Sequence, residues 1–187
     1  MSITERQLKD FIQPDDALAA LWRTFESGDP PGPFETVESA AVPVPFDDLL
    51  VHHRHMTTTL ESFHKRPVEL RVLQHKQDGD LYSREILLTL SGTDRVVEFG
   101  IVQLDLGLVS DAVRAQIMER QTPLGDILIR HNVLRRIEPR WYFRFFGDCP
   151  LLRHFGPEPP SVVYGRVGTI YCDHEPAIEL LEVVSNA

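Results

Sequence analysis

The sequence is poor in basic side chains. Among its 187 residues, Lys and Arg number 19 against 28 Asp and Glu, which gives a formal net charge of −9. Contacts to phosphate groups need clustered Lys and Arg, and the sequence has no such cluster. The composition therefore argues against a nucleic-acid-binding protein and against a protein that binds an anionic membrane surface.

Cysteines and long apolar runs are also scarce. Only Cys149 and Cys172 are present, and their spacing indicates no disulfide framework. No apolar run approaches the ~20 residues of a membrane span, and residues 1–6 lack the basic and apolar regions of a secretion signal. The sequence predicts a reduced cytoplasmic protein whose length suits one domain with its own core.

The spacing of the apolar residues predicts an α+β fold dominated by an antiparallel sheet. Period-two alternation predicts strands at 67–77, 81–90, 95–106, 133–146, 162–171 and 176–184. Helical spacing predicts helices at 15–26, 46–64 and 111–120, and a Pro-rich loop is expected at 28–33. We expect a single domain over 1–187, with a helix plus Pro-rich extension at 1–45 and the core at 46–187.

Two helix starts carry local signals. Ser110 suits the N-cap of the helix at 111–120, and Thr122 can cap a short helix in which Pro123 takes the first position. The amides of Leu124 and Gly125 then lack intrahelical acceptors. Free amides of this kind bind carboxylates or phosphates at the starts of other helices. Most helix starts bind only water, so this signal is weak by itself.

Arg84 occupies an unusual position for an arginine. Alternation along the strand at 81–90 puts it on the apolar face with Tyr82, Ile86 and Leu88. A buried guanidinium keeps its proton and needs an anion to offset its desolvation. Either a carboxylate of the protein pairs with Arg84, or the carboxylate or phosphate of a ligand does.

Glu182 presents the converse case in the last strand. It shares a face with Ile178, Leu180 and Val184, where a carboxyl group tends to stay protonated unless it meets a cation or a donor. Three alternatives remain: Glu182 belongs to a ligand site, it is the structural partner of Arg84, or Glu179 on the opposite face is the inward residue.

The segment His52-His53-Arg54-His55 invites a metal site, but a packing or solvated role is favoured. Only His52 and His55 have helical spacing, and no carboxylate or cysteine pattern completes a zinc set. The sequence also has no Gly-rich phosphate loop and no nucleophile elbow. It therefore has parts for anion binding without those for metal or nucleophilic catalysis.

Several segments in a fixed order resemble chorismate pyruvate-lyase, most closely its divergent bacterial and archaeal branch. The resemblance covers about 47–184 and rests on Arg54-His55-Met56-Thr57, Tyr82-Ser83-Arg84-Glu85-Ile86-Leu87-Leu88, Gln121-Thr122-Pro123-Leu124-Gly125, Tyr164-Gly165-Arg166, and Pro176 leading into Glu182-Val183-Val184. Single motifs such as Thr-Pro-Leu-Gly are weak, whereas the ordered set is fairly specific.

The resemblance implies an antiparallel sheet of about six strands with helices that close a buried ligand cavity. It implies conversion of chorismate to 4-hydroxybenzoate and pyruvate, without metal or organic cofactor, in a quinone or phenolic pathway. In the site so implied, Arg84 holds a substrate carboxylate, the Leu124 amide and Met56 contact the ligand, and Glu182 lies near the hydroxyl. Arg84 and Glu182 would be the catalytic residues.

Two departures from the better-known enterobacterial branch carry structural consequences. Glu182 arrives one residue late, so the final hairpin needs a bulge or a shifted register. Gly100 or a neighbour replaces a second family arginine, so another donor such as Arg166 or Arg54 would be needed.

The alternatives to the lyase are a non-catalytic module that binds small aryl carboxylates, and a lyase for a related substrate. We expect a monomer or weak dimer whose only partner is its small-molecule ligand.

Overall fold

The computed structural model describes residues 13–25 and 31–186. A single seven-stranded sheet dominates them, with all neighbouring strands antiparallel and the order β1-β5-β6-β7-β4-β3-β2. The strands are β1 (Phe34–Val37), β2 (Val68–Asp78), β3 (Leu81–Leu90), β4 (Val96–Asp105), β5 (Arg135–Phe146), β6 (Val162–Cys172) and β7 (Glu175–Val184). This architecture confirms the predicted α+β fold class.

Five α-helices and three short 3-10 helices accompany the sheet in the described ranges. The α-helices are α1 (Pro14–Trp22), α2 (Phe46–Leu50), α3 (Met56–His64), α4 (Asp111–Glu119) and α5 (Leu124–Arg130). The 3-10 helices are Ser39–Ala41, Leu106–Leu108 and Pro150–Phe155. As predicted, Ser110 caps α4, because its hydroxyl accepts a hydrogen bond from the Val113 amide.

The two faces of the sheet bury separate cores. On one face, Trp22 of α1 and Leu151 of the last 3-10 helix pack with Phe99 and Phe143 of the sheet. On the other face, α2 and α3 cover one apolar cluster, and α4 and α5 cover a second. Cys149 belongs to the core under α1, and Cys172 belongs to the cluster under α4 and α5. Both are free thiols.

The predicted continuous helix at 46–64 is wrong. Helix α2 ends at Leu50 and α3 begins at Met56, with an irregular segment at 51–55 between them. The guanidinium of Arg166 donates hydrogen bonds to the backbone carbonyls of Leu50, His52 and Arg54. In a continuous helix these carbonyls would accept from amides four residues later. A buried tertiary partner therefore replaces the helical one.

The predicted start of α5 is also wrong in detail. Pro123 is the N-cap residue rather than the first helical residue, and α5 begins at Leu124 with no side-chain cap from the described part of the chain. Pro123 has extended ψ of 143°, which places it outside the helix. Thr122 is thus one residue too early to cap it.

The extension at 1–45 contributes more to the sheet than predicted. Its strand β1 pairs with β5, from Phe34 opposite Phe145 to Val37 opposite Tyr142, so the sheet has seven strands rather than about six. Of the predicted Pro-rich loop, residues 28–30 lie outside the described ranges, and residues 31–33 lead into β1 as bends. No helix within the described ranges is long and apolar enough to cross a membrane.

Candidate functional site

A small cavity lies on the face of the sheet that α2, α3, α4 and α5 cover. It lies where the apolar cluster under α2 and α3 meets the cluster under α4 and α5. It has a volume of about 50 Å³. Strands β3, β4 and β7 supply its charged side chains, and α3 and α5 supply Met56 and Leu124. The structure therefore brings all four sequence-predicted residues, Arg84, Glu182, Met56 and Leu124, to one cavity.

Arg84 is buried and has no counter-ion in the part of the chain that the structure describes. Its residue surface is only 3% exposed, and its Nη1 atom has no hydrogen-bond partner among residues 13–25 and 31–186. Burial lowers the pKa of the guanidinium, and the neighbouring Tyr82 partly opposes this effect. An arginine nevertheless keeps its proton at physiological pH. The cavity wall thus carries a positive charge that no ion pair in the described ranges neutralises.

The internal partner proposed for Arg84 is wrong, because Glu182 pairs with Arg166 instead. The Nε atom of Arg166 donates to Oε2 of Glu182 at 2.6 Å. These two residues lie directly opposite one another on β6 and β7, and both are buried. Arg84 lies on β3, with β4 between it and β7.

Glu182, rather than Glu179, faces the cavity. Glu182 lines it, whereas Glu179 is displaced by an odd number of residues and therefore points to the other face. The hairpin contains the required bulge: Tyr171 pairs with Pro176 and Ile170 with Ile178, which leaves Ala177 as the extra residue. Gly100 lies opposite Glu182 on β4, where it brings no side chain into the cavity.

Glu98 is a cavity residue that the sequence reasoning missed. It is 4% exposed, lines the cavity, and its Oε2 atom has no hydrogen-bond partner in the described ranges. Burial, reinforced by the negative charge of Glu182, raises the pKa of Glu98 well above 4.5, and Arg166 opposes this only in part. The signal was present, since alternation puts Glu98 on the same face of β4 as Val102.

Arg166 is not available as the second ligand donor. Besides its ion pair with Glu182, it donates to Leu50 O at 2.9 Å, His52 O at 2.8 Å and Arg54 O at 3.3 Å. These contacts hold the segment 51–55 against the sheet beside the cavity. The other suggested donor, Arg54, is exposed and lines a separate outer groove.

The three histidines of 52–55 make hydrogen bonds that fix this segment. His52 bonds through its ring to Leu49 O at 2.8 Å, and His53 bonds to Ile137 O at 2.9 Å. His55 accepts from Arg135 Nε at 2.6 Å. No group of three metal-ligating side chains occurs among the residues that the structure describes.

His55 forms a wall between the cavity and the outer groove. Burial, followed by the charges of Arg135 and Arg166, lowers the pKa of His55 to about 4, so its ring is neutral at pH 7. Helix α5 packs closely on this wall because Gly125 has no side chain. A Cβ atom at Gly125 would lie 3.1 Å from Cβ of His55 and 3.2 Å from Oγ1 of Thr57.

The outer groove is open and basic. Its volume is about 900 Å³, and His53, Arg54, Arg135 and Arg136 are among its lining residues. The exposed side chain of Leu134 lies in the same groove. The local charge of this groove is therefore opposite in sign to that of the whole chain.

Comparisons with known proteins identify the fold and no sequence family. No protein-family model matches the chain, and no curated protein matches it in sequence. PhnF from Mycobacterium smegmatis is similar in structure, with a TM-score of 0.52 and 10% identity over 71% of this chain and 64% of that chain. The chain thus matches less than two thirds of PhnF, and the likeness supports the chorismate lyase-like fold.

Two shorter structures are similar at a lower score. The effector domain of PhnF has a TM-score of 0.49 and 10% identity, over 71% of this chain and 89% of the domain. The ligand-binding domain of a Bordetella bronchiseptica protein assigned to the GntR family of transcriptional regulators has a TM-score of 0.49 and 11% identity, with coverage of 64% and 86%.

Proposed function

We propose that this protein binds a small organic carboxylate in the cavity, with Arg84 as the anion-binding residue. The observation that carries the proposal is the buried guanidinium of Arg84, which has no ion pair in the described ranges and an unsatisfied Nη1 atom. Removing an ion from water costs several kcal/mol even after relaxation. A ligand carboxylate that accepts hydrogen bonds from Arg84 would offset this cost.

The cavity favours a ligand that is partly apolar. Ile86, Leu88, Val102 and Leu180 line it alongside the charged groups, so they would contact a hydrocarbon body. A volume of about 50 Å³ holds only a few water molecules. We therefore expect the cavity walls to move outward when a ring-sized ligand enters.

Calorimetric titration with benzoate and 4-hydroxybenzoate tests this function. We expect saturable binding to the unmodified protein and loss of at least tenfold in affinity in Arg84→Met, because the ligand carboxylate loses the guanidinium that lines the cavity. Arg144→Met is the matched control, since Arg144 pairs with Glu35 at the surface. Failure of both ligands to bind the unmodified protein, or equal affinity in Arg84→Met, would overturn the proposal.

Chorismate pyruvate-lyase activity is the second candidate function. The observation in its favour is that Met56, Arg84, Leu124 and Glu182, the residues implied by the sequence resemblance, all line one cavity. In this reaction the bond between the ring and the enolpyruvyl oxygen breaks, and its electron pair leaves on that oxygen. The ring loses one proton and becomes aromatic, and the departing enolpyruvate takes up one proton on its methylene carbon to become pyruvate. The reaction needs orientation of the substrate more than an activated nucleophile, and a buried arginine supplies orientation.

Incubation with chorismate, followed by chromatography of both products, tests the lyase. Equal amounts of 4-hydroxybenzoate and pyruvate above the spontaneous background would support it, and Arg84→Met should abolish this excess. If no excess forms while benzoate binds, the protein is a carboxylate-binding module rather than this lyase.

A further inference from the structure

Glu98 lies in the middle of the sheet with its carboxyl group directed into the cavity. It pairs with Leu88 on β3 and with Val184 on β7. Five buried polar side-chain atoms lack a partner within the described chain, and two of them, Arg84 Nη1 and Glu98 Oε2, belong to residues that line this cavity. A buried polar atom without a hydrogen-bond partner is destabilising. Two such atoms at one cavity therefore indicate groups that bind a ligand.

The two unsatisfied groups mark opposite ends of the cavity. Arg84 pairs with Val102 of β4, and Glu98 is four residues away along the same strand. This separation corresponds to roughly 13 Å along the strand direction. Apolar side chains, including Ile86 between the two ends on β3, line the space between them. A ligand that satisfies both groups must therefore have two polar ends and an apolar middle.

The two ends differ in charge. Among the residues that the structure describes, Arg166 is the cation whose charge acts on Glu98, and it is already engaged with Glu182 and with three backbone carbonyls. A second ionised carboxyl group next to Glu182 would be repelled by it in a low-dielectric environment. Glu98 is consequently a neutral carboxylic acid, which can donate its O–H hydrogen to an acceptor.

We infer that Glu98 is a specificity-determining residue that donates a hydrogen bond to an uncharged oxygen, a hydroxyl or carbonyl, at the ligand end remote from the carboxylate. This inference rests on the proposed carboxylate-binding function of Arg84 and adds the class of ligand. The preferred ligand is a monocarboxylate with an apolar middle and an uncharged oxygen at the end opposite the carboxylate. A second carboxylate at that position is excluded, because it would face Glu182 and the buried Glu98.

Three para-substituted probes test the inference on the unmodified protein. We expect 4-hydroxybenzoate to bind roughly five- to tenfold more tightly than benzoate, the effect of one hydrogen bond to a buried donor. Terephthalate, which carries a second carboxylate in place of the hydroxyl, should bind more weakly than benzoate. Calorimetric titrations with all three probes under the same conditions give these ratios directly.

Two variants assign the preference to Glu98. In Glu98→Gln the side-chain amide still donates, so the preference for 4-hydroxybenzoate over benzoate should remain. In Glu98→Leu the preference should disappear, while benzoate binds at least as tightly as before. A thermal melt of each variant verifies its fold, and Glu98→Gln is close enough in shape to keep the comparison if Glu98→Leu does not fold.

The outcomes separate this inference from the function on which it rests. If benzoate binds and 4-hydroxybenzoate binds no more tightly, the role of Glu98 is overturned and the carboxylate site stands. Persistence of the preference in Glu98→Leu also overturns that role. If no probe binds the unmodified protein, the proposed function fails, and the role of Glu98 fails with it.

Discussion

Among single residues, Arg84 has opposite effects on stability and on binding: its buried charge lowers the stability of the ligand-free protein and provides the proposed site for an anion. A guanidinium held away from water without a counter-ion destabilises the ligand-free protein. A residue that contributed only to the fold would not be expected to carry this penalty, and an apolar side chain of similar length would pack on Ile86 without it. The stability of an Arg84 variant therefore reports whether the charge is a structural feature.

We predict that Arg84→Met raises the free energy of unfolding by about 1–3 kcal/mol, since it removes an unpaired buried charge and keeps most of the packing volume. Urea unfolding with the m-value checked for constancy measures the change. Arg84→Lys keeps the charge and should give no such gain. Destabilisation of Arg84→Met by several kcal/mol would mean that Arg84 has a structural anion partner.

The buried carboxyl group of Glu98 should make the stability of the protein depend on pH. Because its pKa is raised in the folded protein above the ordinary 4.5, the folded state binds more protons than the unfolded state above that pH. The free energy of unfolding contributed by Glu98 is therefore largest at acidic pH and falls as the pH rises. Glu98→Gln removes this loss without changing the shape of the side chain.

We predict that Glu98→Gln gains stability relative to the unmodified protein as the pH rises from 4.5 to 8. Urea unfolding of both proteins at pH 4.5, 6 and 8 measures the difference, and other titrating groups cancel because they are common to both. A difference that does not change with pH would show that Glu98 is ionised in the folded protein.

At the scale of the elements, one arginine determines where a helix stops. Arg166 is 1% exposed, and its hydrogen bonds tie the segment 51–55 to β6 while Glu182 balances its charge. Helical periodicity runs through residues 46–64, so local sequence alone favours one helix there. The break is decided by a residue more than a hundred positions away, which no local pattern contains.

We predict that Arg166→Met lowers the free energy of unfolding by about 3–5 kcal/mol, because it leaves the Glu182 carboxylate buried without its cation. Amide hydrogen exchange should also speed up most in residues 50–55, which lose three backbone partners. The matched control is Arg144→Met, which breaks the surface pair with Glu35 and should change stability little. Similar effects of the two variants would contradict this prediction.

The strands were more predictable than the helices. The bounds of β3 follow from alternation within 81–90, and the hairpin of β6 and β7 follows from the turn at 173–174. The position of Glu182 required a bulge or a shifted register, and a bulge is present at Ala177. By contrast, β1 has only four residues and both inner positions exposed. It gains its strand conformation by pairing with β5, and this pairing has no local sequence signal.

At the scale of the whole molecule, the two faces of the sheet carry separate cores, each with one cysteine. Cys149 lies in the core under α1, and Cys172 lies in the core under α4 and α5. Burial raises the pKa of Cys172 to about 11 and that of Cys149 in the same direction. Both thiols are thus unreactive until their own core opens.

We predict that the two cores unfold together as one domain. In Cys149→Ser and Cys172→Ser, the remaining thiol should be protected from labelling in buffer and should become reactive at the same urea concentration in both proteins, after correction for the stability of each variant. Two separate midpoints would contradict a single cooperative domain over the described part of the chain.

The net charge of −9 takes on a more specific meaning at this scale. It still argues against a polyanionic partner, but the proposed ligand is itself an anion. Local arrangement resolves the difference, because Arg54, Arg135 and Arg136 line the outer groove beside His55. Salt screens surface charges beyond about 8–10 Å, whereas the buried guanidinium of Arg84 is screened much less.

Alternation of neighbouring residues was sufficient to predict the fold class, most of the sheet and the unusual position of Arg84. Alternation and a helix-start signal also singled out Glu182 and Leu124, the resemblance added Met56, and all three residues line the cavity. Two features required the three-dimensional arrangement: Glu182 pairs with Arg166, which leaves Arg84 without an ion pair in the described part of the chain, and Glu98 lines the cavity. Counter-ion choice depends on distances between side chains from different strands, and those distances are set by register and strand order rather than by any local pattern.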